Sequence, residues 1–363
     1  MSRGFNAVGD IMRLADRTDV NQLWNDYGEA LALYNTARDG LVDLLSYRIT
    51  APAEHVLATE GGGLFEAASQ YGVPTGFRLG SDTTALGAQF KWLDRAGRYT
   101  WMYLADAAQA QVDAVHNSII ESDSRTVFKG IFGAAFVNTT RVNREGHSVF
   151  PFHNGDAVAQ PEFEGTTFAT AHQHYVTTAS TTLTSAAVDA LLKLVLEHGW
   201  GLDGRGRLLL LCNPAQADVI RKFRVSTGAS ADFIAGEGAV PYLTQDQIVG
   251  DRPPASVGSV PVFGSYGRAL CVESWLVPAG YLLASVSSGP NSQHNPVAFR
   301  EHPTANLRGL LHIPGNRQDY PLVDSFYVRG FGTGIRKRSA GAVLQVTASA
   351  TYTPPASLLV GAP

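Results

Sequence analysis

The sequence predicts an α+β fold organised around one long helix. An aromatic stretch with strand periodicity ends near Leu104, where a helical stretch takes over. There Val112, Val115, Ile119 and Ile120 recur at helical spacing, and Val127, Phe128, Ile131 and Phe132 resume the pattern beyond the polar run ESDSR. Further on, a helix–strand–helix pattern leads into a series of strand-like runs.

The long helix is expected over residues 105–132. Alanines and glutamines near its start favour helix, Asp106 suits an N-cap, and Gly130 and Gly133 supply a stop. At 1.5 Å per residue it would reach about 35–40 Å, well beyond the usual three to four turns. Before it, Phe90, Trp92, Tyr99, Trp101 and Tyr103 alternate with Gln89, Lys91, Arg98, Thr100 and Met102. This reads as a β ribbon over residues 76–103, with its turn at 81–87 or 94–97. An isolated two-stranded ribbon is marginal in water, so this one is expected to lie on another surface; a hairpin within an ordinary sheet is the alternative.

N-terminal to the ribbon, Leu23, Trp24, Tyr27, Leu31, Leu33, Tyr34, Leu41, Leu44 and Leu45 mark an amphipathic helical region, broken near Asp39–Gly40 and ended by Pro52. Gly61–Gly63 lack a following GK[ST] and read as a hinge rather than a phosphate loop. Downstream, Ser185 caps a helix whose apolar face is Val188, Leu191, Leu192, Val195 and Leu196. Residues 207–212 form a buried strand, and Asn213-Pro214 opens another helix. Residues 226–259 are rich in Gly, Ser and Pro and read as loops, followed by strands and a Pro/Ala tail.

The chain of 363 residues is 45% hydrophobic but only 17% charged, below the roughly 25% of ordinary soluble domains. Low charge suits a surface that meets other subunits, although a β-rich secreted enzyme shares it. Only five of the 28 basic residues are lysines. Arginine favours planar pairing at buried contacts, and GC-rich coding would produce the same bias. A net charge of −4 argues against a dedicated nucleic-acid binder. Cys212 and Cys271 lie far apart beside apolar runs and read as free buried thiols of a reduced compartment. No signal-peptide pattern and no apolar run of membrane-spanning length is read, so a soluble cytoplasmic chain is expected.

For chemistry the sequence offers little. His172 and His174 form an HxH pair, which on a strand places both rings on one face, but a metal needs a third ligand. His147, His153 and Glu164 are available without pattern, and HExxH, GxSxG and CxxC are absent. His116 reads as a helix-face residue, and His302 and His312 as satisfied core or interface histidines. The glycines of Gly330-Phe331-Gly332-Thr333-Gly334 lead into Arg336-Lys337-Arg338 and another strand, not into a helix, so no dinucleotide site is read. That basic cluster reads as a solvated or intersubunit patch. No catalytic residue, cofactor or metal is assigned.

Taken in order, these elements resemble the major capsid proteins of tailed double-stranded DNA bacteriophages, the Hong Kong 97-like fold. Residues 76–103 match that family's extended E-loop, 105–132 its spine helix, and Asn154-Gly155-Asp156 through Gln160-Pro161 the turn after it. Residues 208–212 with Asn213-Pro214 match the strand-to-helix step of its axial domain, and residues 325–328 and 342–346 the last strands of its peripheral domain. The resemblance implies an N-terminal arm (1–75), E-loop ribbon (76–104), peripheral domain with spine helix (105–182), axial domain (183–298), closing peripheral strands (299–349) and a C-terminal tail (350–363).

It further implies a structural, non-enzymatic protein that self-assembles into hexamers and pentamers of an icosahedral head, in the bacterial host cytoplasm. The head would enclose double-stranded DNA without sequence-specific binding. Arm and ribbon residues Trp24, Phe90, Lys91, Trp92, Tyr99, Trp101 and Tyr103 are the expected intersubunit contacts, and Arg336, Lys337 and Arg338 a further interface cluster. Portal and decoration proteins are the implied partners, with a separate scaffold or none, because no long charged N-terminal segment is present. Lys91 is the only ribbon lysine and no partner asparagine can be named, so no crosslink is assigned. The nearest rival is an encapsulin-type shell packaging protein cargo; the distant one is a metal-dependent hydrolase using His172 and His174.

Overall fold

A computed structural model describes residues 13–36, 40–57, 67–68, 70–72, 83–158, 160–202, 204–237, 252–314 and 322–359. The expected hinge at Gly61–Gly63, the first part of the expected ribbon and residues 238–251 of the loop-rich stretch lie outside these. Among the described residues no helix is long and apolar enough to cross a membrane.

The long helix runs Gln109–Phe136, 28 residues, starting and ending later than the sequence suggests. Gly130 and Gly133 do not stop it. Its last third, with Phe128, Ile131, Phe132, Ala134, Ala135 and Phe136, is buried in the largest core, and that burial outweighs roughly 1 kcal/mol of helix propensity per glycine. Gly130 O also accepts a hydrogen bond from the Thr333 hydroxyl at 3.0 Å. Asp106 is not the N-cap; it closes a separate short helix, Trp101–Asp106. Thr100 caps that helix by accepting from the Tyr103 N–H at 3.2 Å. Trp101 and Tyr103 therefore stand in a helical turn, not in the strand that alternation implied.

Two sheets flank this helix. In the five-stranded sheet Ser46–Ile49, Val297–Glu301, Leu322–Ile335 and Leu310–Pro314 follow one another, and Lys91–Thr100 also pairs with Leu322–Ile335. The aromatic stretch thus has a partner strand more than 200 residues away, with Lys91 opposite Phe331 and Thr100 opposite Leu322. It is a member of an ordinary sheet, but not the hairpin weighed above: the strand runs unbroken through 94–97, where a turn was expected. A separate two-stranded ribbon, packed against the sheet, lies upstream, where Ala53–Leu57 pairs antiparallel with Thr83–Gly87.

The seven-stranded sheet has the order Tyr175–Thr177, Gly341–Gln345, Tyr281–Ser287, Arg207–Cys212, Ala269–Glu273, Gly264–Tyr266 and Phe233–Ala235. Both of its faces are covered, which is why Leu208–Leu211 reads as an unbroken apolar run. Leu209 and Leu211 join the large core with the long helix and the five-stranded sheet. Leu208, Leu210 and Cys212 face the helices Ser185–Leu196 and Pro214–Ile220. Thr184, rather than Ser185, caps the first of these, and Asn213 caps the second with proline in its first turn. Both cysteines are free and buried, as expected. The two closing strands part company: Leu322–Ile335 belongs to the five-stranded sheet, whereas Gly341–Gln345 belongs to the seven-stranded one.

The N-terminal helical region is two helices, Val20–Thr36 and Gly40–Leu45. The first lies on its own subunit. Val20, Leu23, Trp24 and Tyr27 pack with Tyr99, Leu104 and Val112, and Leu31 packs with Ile119, Leu310 and Tyr327.

Candidate functional site

The residues expected at subunit contacts divide by burial. Trp24, Phe90 and Tyr99 are buried within the chain. Trp24 sits 5.6 Å from the Tyr27 ring and 6.0 Å from the Tyr99 ring, so helix and sheet consume these aromatics as core. Trp92 is 43% exposed and Tyr103 38%, and Lys91 is also exposed. Met102 is exposed as well. Trp101 is half-buried. Sequence alternation finds aromatics but does not say which face a distant strand will cover.

The basic cluster is not a solvated patch. Arg336 forms a two-pronged pair with Glu54 at 2.9 and 3.2 Å and lies 4.3 Å over the Tyr47 ring. Arg338 donates to Asp156 Oδ2 at 2.7 Å and, through Nε, to Pro151 O at 2.9 Å. Lys337 lies 5.3 Å over the Trp200 ring. Each of the three charges is engaged inside the subunit, and Arg336 ties the separate ribbon to the sheet that carries it.

The histidines converge where sequence spacing only hinted. His172 and His174 lie just before the edge strand Tyr175–Thr177, not within it, with ring centroids 5.1 Å apart. His198, just beyond the C-terminal end of the helix Ser185–Leu196, joins them: its Nε2 is 3.2 Å from His174 Nε2. The candidate donor atoms of His172, His174 and His198 all lie within 4.8 Å of one another. His174 Nδ1 is 2.8 Å from Gly341 O, and Phe168 stacks on His198 at 3.8 Å. Burial pulls His174 down to about 3 and His198 to about 4, and also lowers His172, so all three rings are neutral at pH 7. His153 stands beside them, its ring 5.6 Å from that of His174, while His147 and Glu164 are not part of the group.

His198 and His153 also line a cavity of about 310 Å³ together with Phe163, Trp200, Arg205 and the ribbon residue Leu86. His116 and His312 have structural partners. His116 Nδ1 is 2.7 Å from the Tyr327 hydroxyl and the ring stacks on Tyr27 at 3.9 Å; His312 Nε2 is 2.8 Å from Ser325 Oγ. His116 is thus buried between elements rather than set on an open helix face.

Two sheets packed against one long helix, with a separate two-stranded ribbon, make an α+β fold, and the comparisons agree. The chain is similar to a solved structure from Mycobacterium phage Patience, at 36% identity and TM-score 0.75, covering 98% of this chain and 96% of that one. It is also similar to the capsid of a native GTA particle, at 17% identity and TM-score 0.52, covering 86% of this chain and 92% of that one. No family model matches the chain, and no curated protein matches it in sequence. The chain belongs to the family of phage major capsid proteins. Its role is structural, as a subunit that self-assembles into the virion shell.

Proposed function

We propose that this capsid protein forms hexamers and pentamers of an icosahedral head that encloses double-stranded DNA, assembled in the cytoplasm of a bacterial host. The observation that carries this reading is the likeness to a phage structure along 98% of the chain. The physics of a closed shell supports it: one chain must bury surface against several neighbours in related but unequal settings. Here the ribbon formed by Ala53–Leu57 and Thr83–Gly87 adds area outside the two larger sheets. Exposed Trp92, Met102 and Tyr103 supply apolar contacts beside the long helix.

In this reading the five-stranded sheet with the long helix is the peripheral part of the subunit and the seven-stranded sheet the axial part. The strand Gly341–Gln345 then returns to the axial part, and the ribbon at 53–87 takes the role of the extended loop. The role is non-enzymatic. The net charge of −4 keeps packed DNA from adhering to the wall, and base readout is not required of the subunit. A portal, with a separate scaffold protein or none, is the partner set this implies.

Electron microscopy of the expressed protein, with size-exclusion chromatography alongside, tests the proposal. Shells or free hexamers and pentamers are expected. A monomer that fails to assemble with or without co-expressed head proteins would overturn it, and shells loaded with protein instead of DNA from infected cells would favour the encapsulin-type alternative.

A further inference from the structure

We propose that His172, His174 and His198 form a three-histidine site for a divalent transition ion of the zinc class, with water as the fourth ligand, at the edge of the seven-stranded sheet. The three donors come from two elements that meet only in the folded subunit. Two lie on the segment leading into Tyr175–Thr177, and one lies beyond the end of the helix Ser185–Leu196. Tetrahedral zinc with Zn–N of about 2.0–2.1 Å needs nitrogens about 3.3 Å apart. His174 Nε2 and His198 Nε2 already stand at 3.2 Å, and the third donor is within 4.8 Å. Closing the set requires a shift of about 1.5 Å at most by the His172 ring.

The hydrogen bonding around the rings favours a metal. His174 Nδ1 faces the Gly341 carbonyl at 2.8 Å, so that nitrogen carries the proton and the Nε2 lone pair points into the cluster. A backbone carbonyl on the far nitrogen is the usual orienting partner of a metal-bound imidazole. His172 Nε2 is buried without a hydrogen-bond partner, an orphan that an ion would satisfy. A simple His174–His198 hydrogen bond satisfies two rings and leaves that third one stranded. All-nitrogen donors select zinc, cobalt, nickel or copper over magnesium or calcium.

The surrounding charges are compatible with an added cation. Arg338 is close enough to depress His174 and His153, but its guanidinium is paired with Asp156 at 2.7 Å. Glu197, adjacent to His198, acts favourably on His172. A bound ion would fasten the three-residue edge strand to the helix beside it, and His198 also lines the neighbouring cavity.

The test uses full-length protein without a histidine tag, treated with a chelator and titrated with Co²⁺ and then Zn²⁺. The expected result is saturable binding of one ion per subunit, with the intense visible absorption of tetrahedral cobalt, lost on zinc addition, and a Zn²⁺-dependent rise in the unfolding midpoint. His172→Ala removes the ring that has no hydrogen bond of its own within the cluster, so the fold is retained; it should weaken Co²⁺ binding at least about tenfold and abolish the midpoint shift. Equal cobalt binding by wild type and His172→Ala, or a spectrum of octahedral form, would overturn the site. Failure here leaves the shell-forming role intact, because assembly is read independently.

Discussion

Arg329 Nη1 lies 2.6 Å from Asp123 Oδ2, with both side chains at most 10% exposed. The pair joins the longest strand of the five-stranded sheet to the middle of the long helix, and the Tyr34 hydroxyl from the N-terminal helix adds a hydrogen bond to the same carboxylate at 3.0 Å. Three elements distant in sequence are thus fixed at one buried oxygen.

Removing the cation should expose how much this carboxylate depends on it. Burial pushes Asp123 upward even with the guanidinium beside it. Arg329→Met is expected to lose about 3–5 kcal/mol at pH 7, because it leaves a buried charge without its partner. Part of that loss should return in acid. A carboxyl whose folded pKa stands above its unfolded value adds stability below the unfolded value and loses it as pH rises through the folded one. Denaturant unfolding of unassembled subunits at several pH values measures this; a deficit unchanged between pH 7 and pH 4 would contradict it.

The run Gly330-Phe331-Gly332-Thr333-Gly334 has a packing cause that no motif expresses. A Cβ on Gly332 would stand 1.6 Å from Gln89 O, and one on Gly334 would stand 2.6 Å from Gly87 O. The chain crosses the sheet here with backbone against backbone. Gly332→Ala is therefore expected to cost at least about 3 kcal/mol, the upper range of overpacking effects. Gly28 is the control: it lies within the helix Val20–Thr36 and a Cβ there meets nothing within 4 Å. Gly28→Ala should gain about 0.5–1 kcal/mol from helix propensity. Thermal unfolding of the two variants reads both signs, and similar midpoints for the pair would count against the crossing.

These cases show what local sequence can carry. The long helix, the helix–strand–helix unit around Arg207–Cys212 and the caps at Asn213 and near Ser185 were legible because periodicity and capping are local. The pairing of Lys91–Thr100 with Leu322–Ile335 was not, since nothing local names a partner more than 200 residues away. The same blindness placed Trp24 and Tyr99 at a subunit boundary when they fill their own core. It also missed His198, which has no spacing relation to His172 and His174 and meets them only through the turn of a helix end. The buried arginines were read as an interface bias, yet Arg300, Arg329, Arg336 and Arg338 all pair within the subunit.

Two tryptophans separate folding from assembly. Trp24 is buried, so Trp24→Ala should cost about 3–5 kcal/mol in subunit stability, as for large-to-small changes in a core. Trp92 is 43% exposed, its ring 5.5 Å from Phe90 and 5.7 Å from His302. Trp92→Ala should change subunit stability by less than about 1 kcal/mol while lowering the yield of shells. Sedimentation of assembled against free protein, beside unfolding curves, distinguishes the two. Normal shells from Trp92→Ala would remove that residue from the contact set.

Mild acid should loosen the N-terminal helix through His312. Its ring lies 4.8 Å from Tyr327, 5.4 Å from Trp24 and 6.4 Å from Tyr27, with Nε2 on Ser325 Oγ. Burial, and after it nearby His116, lower it to about 4. His116 is itself lowered by burial and partly compensated by Asp113, which the Tyr27 hydroxyl also contacts at 2.6 Å. A base whose folded pKa lies below its unfolded value makes the unfolded chain bind more protons in between. Stability is then lost as pH falls from about 6.5 toward 4. For His312 this amounts to about 1–2 kcal/mol between pH 7 and pH 5, allowing for its partial exposure. In His312→Gln, which cannot titrate in that window, the acid-induced decline should shrink by the same amount relative to wild type. Superimposable pH profiles for the two proteins would show that His312 does not resist protonation in the folded subunit.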